Sequence, residues 1–285
     1  MSKGYITIAQ NSEDIDYLEM SYALALSLKA TQENSNLCVC VDEETKKLIT
    51  DKHKKVFDAI VDIPWNDDAK GDKWKIHNKW KYPHMTPYDE TIILDSDMIF
   101  TESVDYWWDY LAKKDVWCCT NVKTFRNEDV TSDYYRKKFT QLNLPNVYSN
   151  FTYFNKSELT FEFFRMVELI MVHWNVYFDK FLSGVGQNWM SADVAYALAI
   201  QLLDIETETC DYDIKDVPTF VHMKSMVQNV PANMIESNWT KSITSEMGDD
   251  LQVKIGNFTQ TLPVHYVEKN WMNSHKIKQL EDAVL

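Results

Sequence analysis

Ile92-Ile93-Leu94-Asp95-Ser96-Asp97-Met98-Ile99-Phe100 decides how this chain is read, because it sets two carboxylates two residues apart inside an apolar run. Residues two apart on an extended backbone face the same way, so Asp95 and Asp97 can present both carboxylates to one cation. The same Asp-x-Asp spacing recurs as Asp14-Ile15-Asp16 and Asp211-Tyr212-Asp213, and a chain with 43 acidic residues supplies such pairs by composition alone. Only the central copy directly follows three strand-like apolar residues. A pair of turn aspartates ending a strand is the plainer reading. Against it, a buried pair of like charges is costly unless a cation or hydrogen-bond donors satisfy it, and Met98-Ile99-Phe100 draws this pair inward.

Outward from that stretch, β-rich runs at 5–8, 37–41, 59–63 and 91–94 alternate with helical spacing at 16–29 and 44–57. Asp14 or Asp16 is available to cap the first helix. This alternation predicts βαβ units, a largely parallel sheet and ligand binding at its C-terminal edge. The connection 65–88 carries Trp74, Ile76, Trp80 and Tyr82 before Pro83 and Pro87 restrict the backbone. Beyond residue 100 the spacing predicts a helix near 103–113, an apolar run at 116–119, and a polar stretch at 123–146 suited to a substrate loop. A strand at 151–154, helices at 157–173 and 191–203, and β-like segments at 219–222, 251–255 and 262–266 complete the reading. No internal repeat or low-complexity linker divides the 285 residues, so one continuous domain is expected.

Composition removes several function classes. At 45% hydrophobic and 25% charged residues the chain is an ordinary folded protein. Its net charge of −14 disfavours a phosphate-tracking nucleic-acid binder. Six glycines leave little material for phosphate-cradling loops, and neither GxxxxGK nor GxGxxG occurs. Cys38, Cys40, Cys118, Cys119 and Cys210 form no CxxC, which predicts reduced, buried strand thiols. The richest apolar run, 161–172, is broken by Glu162, Arg165 and Glu168, so no membrane span is expected. Without a leader pattern at the start, cytoplasmic residence is the default expectation. Ten tryptophans suit sugar or base stacking as well as core packing.

The stretch from Lys79 to Phe100, with Thr86-Pro87-Tyr88 before the strand and Asp95-Ser96-Asp97 after it, resembles the GT-A nucleotide-sugar glycosyltransferases. It is most similar to the retaining, glycogenin-like family 8, in which a helix carries a lysine ahead of the buried strand and Asp-x-Asp; Lys79 stands at that lysine. Ile6-Thr7-Ile8-Ala9 followed by Tyr17 and Ser27-Leu28 is similar to the family's first strand, uracil-stacking tyrosine and first helix. Tyr148-Ser149-Asn150-Phe151-Thr152-Tyr153-Phe154 resembles its Asn-Ser-Gly strand, with Asn150 in place of glycine. Ala192-Asp193 resembles its Ala-Asp-Gln, with Val194 in place of glutamine. Val264-His265-Tyr266-Val267-Glu268-Lys269-Asn270-Trp271 resembles its HxxGxxKPW segment, two residues shorter and without the glycine or proline.

The resemblance implies a three-layer α/β/α, Rossmann-like GT-A fold over residues 1–285. Residues 1–100 would be the nucleotide-binding half ending in Asp-x-Asp, and 101–285 the acceptor half with a C-terminal metal-binding tail. It implies a metal-dependent hexosyltransferase that moves a hexose from a UDP-sugar to an acceptor (glycan, protein or small molecule), with retention. Donor binding falls to Ala9, Tyr17, Lys79, Asp95, Ser96 and Lys269, and the metal to Asp95, Asp97 and His265, with His222 competing for the third place. Two carboxylates and one imidazole suit Mn²⁺ or Mg²⁺, and the nitrogen ligand favours Mn²⁺. Lys79 and Asp193 are the candidate catalytic residues. Asp193 can orient the donor sugar or merely cap a helix, and its role is left open. A homodimer is the base-rate expectation.

Two other readings compete. Haloacid-dehalogenase-like phosphatases also carry Asp-x-Asp after an apolar strand, would use Asp95 as a phosphoryl nucleophile, and have a later acidic motif similar to Gly248-Asp249-Asp250. Their motif follows the first core strand, whereas three strand candidates precede Asp95. A non-catalytic nucleotide-sugar binding relative is the third reading, suggested by the departures at Asn150, Val194 and the His265 segment.

Overall fold

The computed structural model describes every residue except 73, 131–135, 185–188, 213–216, 225–239, 241–242 and 267. The second aspartate of the Asp211-Tyr212-Asp213 copy and Val267 of the tail segment lie outside the described residues.

Among the described residues, seven strands occupy the first 155 positions: β1 (Lys3–Ala9), β2 (Leu37–Val41), β3 (Ala59–Asp62), β4 (Glu90–Leu94), β5 (Met98–Ile99), β6 (Val116–Cys119) and β7 (Tyr148–Asn155). Six of them form one sheet in the order β3-β2-β1-β4-β7-β6. The first four sheet neighbours run parallel, and β7 is antiparallel to both β4 and β6. From β1 the chain winds outward through β2 to β3, then crosses back to place β4 on the other side of β1. The crevice at the C-terminal ends of β1 and β4 is therefore the switch point at which open α/β sheets bind ligands.

Two-residue alternation builds the layers. Tyr5, Ala9, Leu37, Val39, Val41, Ile92, Leu94 and Trp117 project to one face and pack with the Tyr17–Thr31 and Ser274–Val284 helices. Ile6, Ile8, Cys38, Cys40, Ile93, Val116 and Cys118 project to the other, under the Glu158–Val172 and Ala192–Leu203 helices. The result is the expected three-layer α/β/α with a mostly parallel sheet. All five cysteines are buried and unpaired, and burial raises the Cys210 thiol to about 11, as expected of inert thiols. Among the described residues, no helix is long and apolar enough to cross a membrane.

Several local expectations change. The helix expected over 44–57 is two short ones, Glu43–Lys46 and Asp51–Val56. Thr50 divides them because its backbone is extended and its N–H donates to His53 Nδ1 at 3.0 Å, starting a second helix. The polar stretch 123–146 is not loop throughout, since it contains the Lys137–Leu142 helix. The connection before β4 tightens into a 3₁₀ turn, Lys79–Lys81, and the Tyr82–Met85 helix, with Pro83 in the first turn, where its missing N–H does no harm. Asp16 caps the first long helix, accepting from Glu19 N at 3.0 Å, which accounts for the Asp14-Ile15-Asp16 copy.

The tail folds back over the site. β8 (Val221–His222), β9 (Ser245–Met247), β10 (Val253–Ile255), β11 (Phe258–Thr259) and β12 (Val264–His265) make two small sheets. One is the antiparallel β9-β10-β11 sheet. In the other, β12 lies between β5 and β8, so His265 is the partner of Met98, the residue after Asp97.

Candidate functional site

The turn between β4 and β5 carries Asp95-Ser96-Asp97 at the switch-point crevice, and each carboxylate has its own ammonium. Lys79 Nζ, from the 3₁₀ turn, donates to Asp95 Oδ1 at 2.6 Å. Burial opposes the Lys79 charge, but Asp95 outweighs it and raises the ammonium above the ordinary lysine range. Asp97 is buried; its Oδ2 faces His265 Nε2 at 3.0 Å and accepts from Lys269 Nζ. Burial alone would raise the Asp97 carboxyl; His265 and Lys269 together overcome it and hold the group far below the ordinary carboxylate range.

His265 reaches Asp97 for a backbone reason. β12 pairs with β5, and Tyr266 N donates to Asp97 O at 3.0 Å, pinning the tail to the turn. Asn150 on β7 faces His265 Nδ1 at 3.2 Å and fixes the ring. Ligand atoms of Asp95, Asp97 and His265 lie within 4.8 Å of one another. Atoms bound about 2.2 Å from a shared ion lie roughly 3 to 4.4 Å apart, so this oxygen, oxygen and nitrogen set fits one divalent cation after small side-chain movements. His222 is the register neighbour of His265 on β8, with ring centres 5.1 Å apart, but does not belong to this group; burial pushes its pKa well below the usual histidine value.

A cleft of about 130 Å³ adjoins the carboxylates and is lined by Thr7, Gln10, Tyr17, Trp74, Ser96 and Lys269, among others. Tyr17 opens the helix that follows β1, and Lys269 Nζ stands 5.9 Å from its ring centre. Burial, with the charges of Asp97 and Asp95 adding to it, pushes the Tyr17 phenol up to about 12. The Thr7 hydroxyl is buried there without a hydrogen-bond partner among the described residues, leaving a donor for a ligand. The Ala9 methyl belongs to the core under the Tyr17–Thr31 helix, while Ile8 and Gln10 on either side line the cleft. With its methyl packed in that core, Ala9 can reach the cleft only through its backbone.

Asp193 stands apart from the cleft lining and does not cap its helix; Ser191 holds the N-cap position without a side-chain bond. The Asp193 carboxylate instead accepts from Ser149 N at 2.9 Å, Ser149 Oγ at 2.7 Å and Arg136 Nη1 at 2.6 Å. Arg136 is itself wedged between the rings of Phe139 and Tyr148, 3.7 and 4.1 Å from their centres. Adjacent β7 residues thus hold two parts of the site: Ser149 holds Asp193, and Asn150 holds His265. Sequence reading missed Arg136 and gave no role to Ser149 or Asn150, although it placed both in the segment that resembles the family's Asn-Ser-Gly strand.

The competing acidic motifs go elsewhere. Asp211 accepts from Tyr110 Oη, from Trp117 Nε1 at 3.0 Å and from Lys114 Nζ at 3.1 Å, a structural role. Gly248-Asp249-Asp250 turns between β9 and β10, where Asp249 accepts from Gln279 at 3.2 Å and Asp250 from Gln252 N at 3.1 Å. The second acidic motif required by a phosphatase is thus engaged in a turn and is not in the metal-ligand group.

No protein-family model matches the chain, and no curated protein sequence does. Solved structures do match. The galactosyltransferase LgtC, in complex with donor and acceptor sugar analogues, is 11% identical over 99% of this chain and 95% of its own, with a TM-score of 0.53. Mouse xyloside xylosyltransferase 1 is 12% identical over 74% of this chain and 84% of its own, with a TM-score of 0.49. Glycosyltransferase GlyE of Streptococcus pneumoniae has a TM-score of 0.43 at 11% identity, and this chain spans 46% of its length. The likeness to LgtC runs along nearly the whole of both chains and, at that identity, speaks to architecture alone: the chain has the GT-A, Rossmann-like α/β/α fold.

Proposed function

We propose that this chain is a metal-dependent glycosyltransferase that moves a hexose from a UDP-sugar to an acceptor, with retention, in the manner of family 8. The observation that carries the reading is the convergence of Asp95, Asp97 and His265 within 4.8 Å at the switch point of a GT-A sheet. Bound by these three residues, Mn²⁺ or Mg²⁺ supplies a Lewis acid for the negative charge that develops on the departing diphosphate.

The rest is performed by side chains of the chain itself. Tyr17 offers a ring at the cleft wall for the base, and the Thr7 hydroxyl offers a polar contact beside it. Lys79 and Lys269 are fixed donors beside the carboxylates and can turn toward phosphate oxygens, favouring the charge-separated state. Asp193, immobilised by Arg136 and Ser149 and close enough to act on the Lys79 charge, is the residue this reading gives to orienting the donor sugar, not a nucleophile. Asn150 orients His265, which gives a use to the family's missing glycine. The acceptor is a glycan, a protein or a small molecule. The whole chain acts as one unit, cytoplasmic and dimeric in this reading.

Release of UDP tests this without an acceptor, because water can take the sugar slowly. UDP-glucose, UDP-galactose, UDP-N-acetylglucosamine and UDP-xylose are incubated with the protein and MnCl₂, and UDP is quantified. At least one donor is expected to be hydrolysed, and a chelator should lower the rate by about a hundredfold or more. No UDP from any donor, or release indifferent to chelator, opposes the reading.

A further inference from the structure

Beside the carboxylate cleft lies a groove of about 400 Å³ between the connection that follows β3 and the outer face of the Glu158–Val172 helix. No step above uses it. Its wall is aromatic: Trp65 and Trp80 stack with ring centres 5.6 Å apart and planes within 8°, and His84 stands edge-on to Trp65 at 5.1 Å. Trp65 is 67% exposed, yet its φ is +59°, a left-handed backbone that a bulky residue adopts only under strain. Burial of the indole does not explain that strain, since most of the ring faces solvent. Strain of this kind concentrates at ligand-binding positions.

The polar groups around the rings narrow the ligand. Lys81 is 1% exposed, and its ammonium is shared among Asn66 O, Asn78 Oδ1 at 2.8 Å and Asp68 Oδ2 at 3.0 Å. Asp68 also accepts from Trp80 Nε1 at 3.2 Å, which locks the inner indole. Glu168, on the opposite wall, carries no hydrogen bond or ion pair among the described residues. The groove therefore presents carboxylate acceptors and a rigid aromatic face, and its lysine is fully engaged. Phosphates and nucleotides would meet like charge. A pyranose matches: its C–H face lies on an indole, its edge hydroxyls donate to carboxylates, and the volume takes a short chain of such rings.

We propose that the Trp65 and Trp80 groove is a binding site for a neutral oligosaccharide, separate from the carboxylate cleft. The proposal goes beyond the transferase reading and does not require it. The two sites are nonetheless neighbours, since Lys79 and Trp80 are consecutive on one 3₁₀ turn and serve one site each. A glycan in the groove would bear on the turn that carries Lys79.

Maltohexaose, cellohexaose, xylohexaose and mannohexaose, each to about 10 mM, are titrated by tryptophan fluorescence and calorimetry, with choline and inorganic phosphate alongside. At least one hexasaccharide should bind, Trp65→Ala should weaken it about tenfold or more, and Trp65→Phe should keep most of it. Binding of UDP with Mn²⁺, measured on the same samples, should not change in Trp65→Ala, so failure here and failure of the transferase reading are separate results. If the alanine variant does not fold, Trp65→Gly, which accepts the left-handed backbone, serves in its place. No binding of any hexasaccharide, binding that survives loss of the indole, or binding of choline or phosphate alone overturns the proposal.

Discussion

Asp97→Ala should abolish metal-dependent release of UDP from the best donor, by about a thousandfold or more, which corresponds to roughly 4 kcal/mol of transition-state stabilisation. The expectation follows from where its carboxylate sits. Asp97 Oδ2 is the atom on which His265 Nε2 and Lys269 Nζ converge, so truncation removes one metal ligand and frees two of the groups that surround it. The fold should survive, because Lys269 retains 26% side-chain exposure and can turn to solvent instead of being left charged in the interior. A circular dichroism melt near that of the parent protein separates loss of chemistry from loss of structure. His265→Ala should cost less, about ten- to a hundredfold, since two carboxylates remain. Full activity in Asp97→Ala would remove the site assignment altogether.

The second large effect concerns stability. Arg136→Ala should destabilise the protein by about 3–5 kcal/mol, a fall in Tm of roughly 5–15 °C, because it leaves the Asp193 carboxylate, 25% exposed, without its cation. Arg136→Ala combined with Asp193→Asn should recover much of that loss, since the stranded charge is then absent. The pH dependence has a definite sign. Burial works against the Asp193 carboxylate, but Arg136 and Ser149 outweigh it and hold its pKa below the ordinary value of about 3.9. A depressed pKa in the folded state contributes stability that is complete above the ordinary value and is lost as pH falls through the depressed one. In Arg136→Ala the carboxylate is relieved by protonation, so the deficit relative to the parent should be largest at neutral pH and should shrink toward about pH 4. A deficit independent of pH, or a double variant no better than the single one, would show that Arg136 acts through its packing on Phe139 and Tyr148.

Local pattern carried the parts of this molecule that are local. The alternation in β1, β2 and β4 is written in consecutive residues, and so is the placement of Asp95 and Asp97 at a strand end. Thr50 shows the limit of that reading: its capping role interrupts a run of helix-compatible residues and becomes visible only when its bond to His53 is seen. The Ser274–Val284 helix went unread, although it covers the Tyr17–Thr31 helix and Tyr22 reaches Glu281 across it at 3.1 Å. Partners separated by long stretches of chain leave no periodic trace. Arg136 and Asp193 are 57 residues apart, and Asn150 and His265 are 115 apart. His265 itself was reached through resemblance, and the pairing of β12 with β5 supplies the physical reason it stands beside Asp97. Ala9 likewise came from its place in a motif, which says nothing about which face of β1 its methyl occupies.

Calorimetric titration of UDP in the presence of Mn²⁺, of Mg²⁺ and of chelator tests the metal and nucleotide site most directly, because it needs neither the donor sugar nor the acceptor. The account predicts binding with Mn²⁺, weaker binding with Mg²⁺, none with chelator, and loss of the Mn²⁺-dependent signal in Asp97→Ala. Absence of UDP binding under all three conditions, or equal binding with and without metal, would contradict it.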